Sequence, residues 1–315
     1  MLRSTKFLLL LFPISFLLFG TCRKDPPVSL FKTRHVVLVS IDGPRWSETW
    51  GDSAGRLIPH RATEIAPLGV MLNNFNNLGY TYTSAGHTAM LTGFYQSINN
   101  SGTEHTIYPN FFQYWLEMTR LPKEKAWVIS SKDKIAALTD CLEEKWAGKY
   151  LPSSYCGVNG AGSGFCHDSI TLQRALSVFA QHHPALCLVH FSEPDVSGHS
   201  GNWNNYLAGI RSTDNYLAQL WNFLQQDPEY AGKTTLIVTN DHGRHPDQVS
   251  NGFISHGDGC AGCRHIELLA VGPDFKTNTV LASPYEQKDI APTIAYLMGF
   301  DMPFSEGKVM KELFR

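Results

Sequence analysis

Short apolar runs recur along the chain, and the first of them, over residues 35–41, is rich in β-branched residues and leads directly into Asp42. A continuous apolar run is typical of a strand that is buried on both faces, as in a parallel sheet. Four further runs have this character and lie at residues 127–130, 186–191, 235–239 and 266–271. The pattern therefore predicts five strands of a buried sheet.

Segments with apolar residues at helical spacing alternate with these runs, at residues 169–182, 206–224 and 290–297. Alternating strands and helices predict an α/β fold, with a central, mostly parallel sheet that is flanked by helices on both faces. Residues 142–168, which are rich in Gly, Ser and Tyr, are expected to form an excursion from the sheet edge.

The N-terminal segment has the pattern of an export signal. Basic residues precede an apolar run over residues 7–19, which is too short to span a bilayer, since that needs about 20 residues. Gly20, Thr21 and Cys22 follow and resemble a bacterial lipoprotein signal, in which Cys22 would be lipidated. We expect residues 1–22 to be a signal peptide, 23–33 a tether and 34–315 a single folded domain. Plain secretion, with Cys22 removed or free, is the alternative.

Composition narrows the class of partner. Apolar residues make up 43% of the chain, enough for a sizeable core, and the net charge is only −2. No basic stripe indicates a nucleic-acid-binding surface, so an acidic ligand would have to be held by local charge or metal. The sequence does not indicate an oligomeric state.

Six cysteines remain beyond Cys22, and export makes disulfides possible among them. The spacing of Cys260 and Cys263 fits a redox or metal-binding pair, but there is no second pair of this kind, which disfavours a structural zinc site. A local disulfide that stiffens a loop is the favoured interpretation. Cys187 lies in an apolar run and is expected to be a buried thiol.

Three of the predicted strands lead into acidic residues, namely Asp42, Asp195 and Asp241. Each aspartate alone is more often a helix cap or a turn residue. In open α/β sheets, however, ligand sites lie beyond the carboxyl ends of the strands, so three such residues together favour a metal site. Three histidines could complete it: His199, His242 and His256. Carboxylate and imidazole ligands suit zinc and related divalent ions, and six ligands suit two ions.

A hydroxyl-rich turn, Thr83 and Ser84, precedes small and apolar residues up to Gly93. A turn of this kind is commonly a helix cap, but it also fits a nucleophile at a helix N-terminus, where the helix dipole favours an anion. A hydroxyl close to a metal ion loses its proton more readily and attacks as an alkoxide.

Five short sequence blocks follow one another along the chain in the same order as the motifs of a known family. They are Val-Ser-Ile-Asp42-Gly, Thr83-Ser-Ala-Gly-His87 with Leu-Thr-Gly93, Glu193-Pro-Asp195-Val-Ser-Gly-His199, Val-Thr-Asn-Asp241-His242-Gly and His256-Gly-Asp258. Together they resemble the alkaline phosphatase superfamily, which includes phosphatases, nucleotide pyrophosphatase/phosphodiesterases, phosphomutases and sulfatases. Residues 288–299 are similar to the last helix of that family.

The resemblance implies roles for these residues. One zinc ion would be held by Asp195, His199 and His256, and the other by Asp42, Asp241 and His242. Thr83 would be the nucleophile and would also touch the second ion, with Ser84 as the alternative nucleophile. Lys132 and Lys134 match a pair of cations that contacts phosphoryl oxygens in some monoesterase members, and a solvated surface turn is the alternative for them.

The resemblance thus predicts a two-metal hydrolase of phosphate esters, with phosphomonoesters preferred and a phosphothreonine intermediate. The alternatives are a phosphodiesterase or nucleotide pyrophosphatase, and a non-catalytic surface binding protein on this fold. A sulfatase is disfavoured because the segment at Thr83 lacks the C/S-x-P-x-R pattern, and a phosphomutase because there is little room for an inserted cap. The expected partner is a small phosphorylated substrate, and the expected location is the bacterial periplasm or the outer membrane or cell surface, through a lipid anchor.

Overall fold

The computed structural model of the chain describes Met1 and residues 30–315. The predicted signal peptide, Cys22 and most of the predicted tether therefore lie outside the described residues. Within residues 30–315, no helix is both long enough and apolar enough to span a membrane.

A nine-stranded sheet runs through the described part of the chain, in the order β4-β3-β5-β1-β6-β7-β2-β8, with β9 paired to β2. The strands are β1 (His35–Asp42), β2 (Gly69–Asn76), β3 (Ala126–Ser130), β4 (Ser153–Cys156), β5 (Leu186–Pro194), β6 (Thr234–Asn240), β7 (His265–Val271), β8 (Thr279–Leu281) and β9 (Tyr285–Glu286). Only β7 runs antiparallel to its neighbours, β6 and β2, and the other pairs are parallel.

Helices cover the sheet on both faces. They are α1 (Thr83–Thr92), α2 (Phe111–Thr119), α3 (Asp168–His182), α4 (Asp195–His199), α5 (Trp203–Gln226), α6 (Ala261–Arg264) and α7 (Ile290–Met298). On β1, the side chains of Val36 and Leu38 pack into a core with α1, α2 and α7, whereas those of Val37 and Val39 pack into a second core with α3 and α5. Apolar side chains on both faces explain the continuous apolar runs. The predicted α/β fold with a mostly parallel sheet and helices on both faces is confirmed.

The five predicted strands and three predicted helices are all present, with ends that shift by a few residues. Four further strands, β2, β4, β8 and β9, escaped prediction. In β2, exposed Asn73 and Asn74 interrupt the apolar pattern where the register shifts between Leu72 and Phe75. The prediction that residues 142–168 form an excursion from the sheet is wrong in part. This segment contains β4, which pairs with β3 as the edge strand and whose central residues are exposed.

The favoured disulfide between Cys260 and Cys263 is absent: all six cysteines in residues 30–315 are free thiols. Cys187 is buried in β5 as predicted, and burial raises the pKa of its thiol.

Candidate metal centre and active site

Three aspartates lie close together at the carboxyl ends of three central strands, because these strands are neighbours in the sheet. Asp42 ends β1, Asp195 follows β5 and begins α4, and Asp241 follows β6. Strands β5, β1 and β6 are adjacent and parallel, so their carboxyl ends lie together. All three side chains are buried.

One group of predicted ligands consists of Asp42, Asp241 and His242. The Nε2 atom of His242 lies 3.5 Å from Oδ1 of Asp42 and 3.4 Å from Oδ2 of Asp241. The Nδ1 atom of the same ring lies 2.9 Å from the carbonyl oxygen of Gly243. A proton on Nδ1 is needed for that hydrogen bond, so Nε2 keeps its lone pair for a ligand.

The other predicted group consists of Asp195, His199 and His256. Nε2 of His199 and Nε2 of His256 lie 3.3 and 3.4 Å from Oδ1 of Asp195, and 3.1 Å from each other. One turn of α4 brings Asp195 and His199 to the same side. Nδ1 of His256 lies 2.8 Å from the carbonyl oxygen of Thr81, which directs Nε2 towards the other two ligands.

Buried polar atoms without partners test whether these residues fit a metal. Oδ1 of Asp42, Oδ2 of Asp241 and Nε2 of His242 are fully buried and make no hydrogen bond. Such atoms are costly in a folded protein unless a hydrogen-bond partner or a cation satisfies them. All three lie in one predicted ligand group, so the residues fit a bound divalent ion, and the hard and borderline donors suit zinc.

Electrostatics indicate room for more positive charge. Burial is the largest single effect and acts to raise the pKa of Asp42 and of Asp195, but the Lys132 ammonium and the hydrogen bonds from neighbouring histidines together outweigh it, and both pKa values lie below their usual range. Asp241 has a pKa raised well above its usual value by burial and then by the charge of Asp42. The cations present thus compensate Asp42 and Asp195 but not Asp241, as expected where a metal ion belongs.

Lys132 lies among the predicted metal ligands. Its Nζ is 2.8 Å from Oδ2 of Asp42 and 2.6 Å from Oδ2 of Asp195, and it donates to Oγ1 of Thr83 over 3.4 Å. Burial acts to lower the pKa of Lys132, but Asp195 and Asp42 raise it overall, so the side chain stays charged. The surface-turn alternative is therefore wrong for Lys132.

Thr83 is the first residue of α1, and the N-cap residue Tyr82 makes no capping hydrogen bond with its side chain. Lys132 connects its hydroxyl to the aspartate cluster, whereas the buried hydroxyl of Ser84 makes no hydrogen bond. The geometry thus favours Thr83 over Ser84 as the residue that faces the predicted metal ligands.

Lys134 is farther from the aspartates and half-buried. Its Nζ donates to Oδ1 of Asn100 over 3.0 Å, and the same oxygen accepts the backbone N–H of Ser84 at the start of α1. Lys134 is therefore close to the same helix N-terminus as Thr83. Asn100 escaped the sequence analysis, because it lies on a loop with no motif around it.

Two other residues around the centre were also missed. Arg244 contacts Oδ1 of Asp195, and Nε2 of His190 lies 3.0 Å from Oδ2 of Asp42. Arg244 follows the Asp241-His242 block and could have been found from that position. His190 is a single imidazole inside the buried strand β5, and nothing in the sequence distinguishes it from a core residue.

Fold and site together define a metal-dependent enzyme whose ligands lie at the carboxyl edge of an α/β sheet. The sequence profile of the Metalloenzyme superfamily matches residues 70–302, which is most of the chain. The chain belongs to this superfamily. The identity and number of its metal ions stay predictions.

Solved structures share the fold at low sequence identity. Alkaline phosphatase PafA has a TM-score of 0.67 at 12% identity, covering 90% of this chain and 99% of that one. Murine ectonucleotide pyrophosphatase / phosphodiesterase 5 has a TM-score of 0.63 at 15% identity, covering 89% and 100%. A phosphonate monoester hydrolase from Silicibacter pomeroyi has a TM-score of 0.61 at 12% identity, covering 90% and 76%. These similarities confirm the alkaline-phosphatase-like fold.

Curated relatives match over a shorter stretch. A 2,3-bisphosphoglycerate-independent phosphoglycerate mutase from a Synechococcus species is 27% identical over 140 residues, which is 41% of this chain and 24% of the mutase. The corresponding mutase from Trichormus variabilis is 29% identical over 123 residues, or 38% and 22%. The chain thus spans about a quarter of the length of the curated relatives it matches.

Proposed function

We propose that this protein is a two-metal hydrolase of phosphate esters that prefers phosphomonoesters and acts through a phosphothreonine intermediate. The observation that carries the proposal is the position of Thr83 and Lys132 beside two groups of Asp and His side chains. A hydroxyl, a buried cation and two ligand groups are the components that such a displacement requires.

The ligand groups would hold two divalent ions, which we propose to be zinc. One ion would be bound by Asp42, Asp241 and His242, with Thr83 close by. The second would be bound by Asp195, His199 and His256. When bound, two such ions supply Lewis-acid stabilisation of the attacking and the leaving oxygen.

Thr83 would attack phosphorus through Oγ1. A bond forms between this oxygen and phosphorus, and the proton of Thr83 goes to solvent. The bond to the ester oxygen breaks, and the alkoxide leaves with that electron pair and takes up a proton to become the alcohol. Lys132 donates to Oγ1 of Thr83 and favours its deprotonated form. Water then attacks phosphorus, the bond to Thr83 breaks, and phosphate is released.

Charge supports a preference for monoesters. A phosphomonoester carries nearly two negative charges and three non-bridging oxygens, whereas a diester carries one charge and two such oxygens. The extra oxygen needs its own donor, or it loses solvation without replacement. Lys132 and Lys134, with Asn100 between Lys134 and the start of α1, are suited to this task.

A phosphodiesterase or nucleotide pyrophosphatase is the second candidate, because the murine phosphodiesterase 5 structure shares the fold. A substrate panel separates the two. We expect kcat/KM for an aryl phosphomonoester to exceed that for the matching diester and the matching sulfate, and chelation to abolish hydrolysis. A preference for the diester would support the second candidate, and full activity in metal-free protein would contradict both.

We also propose that the protein is exported and held at the membrane by lipidated Cys22, so that it acts on small phosphorylated substrates in the periplasm or at the cell surface. The basis is the sequence pattern of the first 22 residues. A lipid anchor is the only membrane contact that this proposal requires.

A further inference from the structure

A second cluster of metal-binding residue types lies beside the candidate active site. His245, Asp258, Cys260 and Cys263 each present one ligand atom, and these atoms all lie within 4.8 Å of one another. None of the four belongs to the two ligand groups described above. All four lie in the long connection between β6 and the antiparallel strand β7: His245 lies near its start, and the other three lie near its end.

Local structure brings the two thiols together. Cys260 caps the short helix α6, and the backbone N–H of Cys263 donates to its Sγ over 3.4 Å. The backbone N–H of Cys260 donates to Oδ1 of Asp258 over 3.0 Å, which leaves Oδ2 free to face His245. A tight turn that carries Cys-x-x-Cys is a common half of a zinc site.

His245 provides an independent observation. Its side chain is only 5% exposed, and its Nε2 lies 3.1 Å from Oδ2 of Asp258. The orientation of the two groups nevertheless makes no hydrogen bond, so Nε2 is a buried polar atom without a partner. A cation that accepts the nitrogen lone pair and the carboxylate oxygen together would satisfy both groups.

We propose that His245, Asp258, Cys260 and Cys263 bind a zinc ion of their own. Two thiolates, an imidazole and a carboxylate are all zinc ligands, and four protein ligands close the coordination shell, as in structural sites. Zinc has distances of about 2.3 Å to sulfur and about 2.0 Å to nitrogen or oxygen, which separates ligand atoms by roughly 3–4 Å. The cluster needs only a small contraction to reach this geometry.

The ion would join the start and the end of the connection between β6 and β7, which carries His256. These two segments are already in contact, because the backbone N–H of Gly243 donates to the carbonyl oxygen of Cys263 over 2.8 Å. A metal bridge from residue 245 to residues 258–263 would close the segment around His256 and reduce its freedom. The side chain of Asp258 is 53% exposed, which leaves a path for the ion to enter.

Cobalt(II) reconstitution tests the site directly, because a cobalt ion bound by thiolate absorbs strongly in the near ultraviolet through charge transfer from sulfur. The two ligand groups of the candidate active site contain no sulfur and cannot produce this band. The purified full chain is stripped of metal under reducing conditions and titrated with Co²⁺. We expect the thiolate band in the wild-type protein, with loss of both the band and one bound ion per chain in Cys260→Ser and in Cys263→Ser.

Cys187→Ala is the matched control, because it removes a buried thiol from β5 and should keep the band. Thr83→Ala should also keep it, which separates this proposal from the proposed catalytic function. A wild-type protein without the band overturns the proposal whether or not the variants fold. Mass spectrometry that finds Cys260 and Cys263 joined in protein isolated without reductant, together with persistence of the band in both serine variants, would likewise contradict it.

Discussion

At the scale of single residues, the charge balance around Lys132 decides how the candidate site can hold an anion. Its ammonium lies between Asp42 and Asp195, which belong to different predicted ligand groups, and it reaches Thr83. Metal ions bound to those aspartates would neutralise them and leave the ammonium available to phosphoryl oxygens. Lys134 supplies a second cation near the same helix start.

The nucleophile can be tested with two neighbouring hydroxyls. Thr83→Ala should lower kcat for an aryl phosphomonoester about a thousandfold or more, because it removes the attacking oxygen. Ser84→Ala is the matched control: it removes a buried hydroxyl that makes no hydrogen bond and should retain most activity. Metal analysis should find both variants loaded. The reverse pattern of activities would identify Ser84 as the nucleophile.

The lysine pair can be tested by its effect on two substrates. Loss of a charge-assisted hydrogen bond costs about 1.5–3 kcal/mol, so Lys132→Gln with Lys134→Gln should reduce monoester kcat/KM roughly 10- to 100-fold per lysine. Diester kcat/KM should fall less, because the diester has one charge fewer. Lys311→Gln, at an exposed C-terminal position, is the control. Equal losses for both substrates would contradict the role assigned to the pair.

At the scale of elements, the site depends on how closely α1 approaches the end of β6. A Cβ atom added at Gly86 would lie 2.3 Å from the backbone carbonyl oxygen of Asp241. Gly86 therefore lets the helix that begins at Thr83 pack directly against the residue that carries a predicted metal ligand. The antiparallel direction of β7 has a related effect, because the connection from β6 returns over the same edge and brings His256 to Asp195.

Gly86→Ala should therefore damage both stability and activity. Overpacking of this kind costs about 1–3 kcal/mol, and displacement of α1 would move Thr83 away from the aspartates. Gly232→Ala is a control with open space around the new methyl group, where only the left-handed backbone is strained, at about 1 kcal/mol. Thermal unfolding and steady-state kinetics measure the two effects. A Gly86→Ala enzyme with normal kcat would show that the close approach is not needed.

At the scale of the whole molecule, the predicted ligands gather at the carboxyl ends of the central strands of one sheet, and the two apolar faces of that sheet hold the helices that cover it. The low net charge of −2 gives no long-range attraction for anions. Binding of a phosphate ester must therefore come from the local charges at the sheet edge. The predicted lipid anchor would hold the protein at the membrane without changing the structure of the candidate active site.

Anchoring can be tested by fractionation of cells. Cys22→Ser should move the protein from the membrane fraction to a soluble fraction, because lipidation requires the thiol. Cys187→Ala should stay with the membrane, since that buried cysteine in β5 has no part in anchoring. Unchanged fractionation of Cys22→Ser, with a free N-terminus beyond residue 22, would indicate simple secretion instead.

The sequence by itself determined the fold class and was enough to predict most of the metal ligands. Strands buried on both faces leave continuous apolar runs, and the ligands Asp42, Asp195 and Asp241 stand at or just after the ends of such runs. Their neighbours His199 and His242 are fixed to them by local geometry. Information of this kind lies within a few residues of chain and can be extracted without a structure.

Only the tertiary structure decided which distant side chains share a space. Lys132 follows β3, two strands away from β1, and nothing local reveals that it reaches Asp42 and Thr83. The cysteine pair suggested a disulfide until the loop between β6 and β7 brought His245 beside it. The physical reason is that contacts between distant segments depend on sheet order and loop path, which are set by the packing of the whole chain.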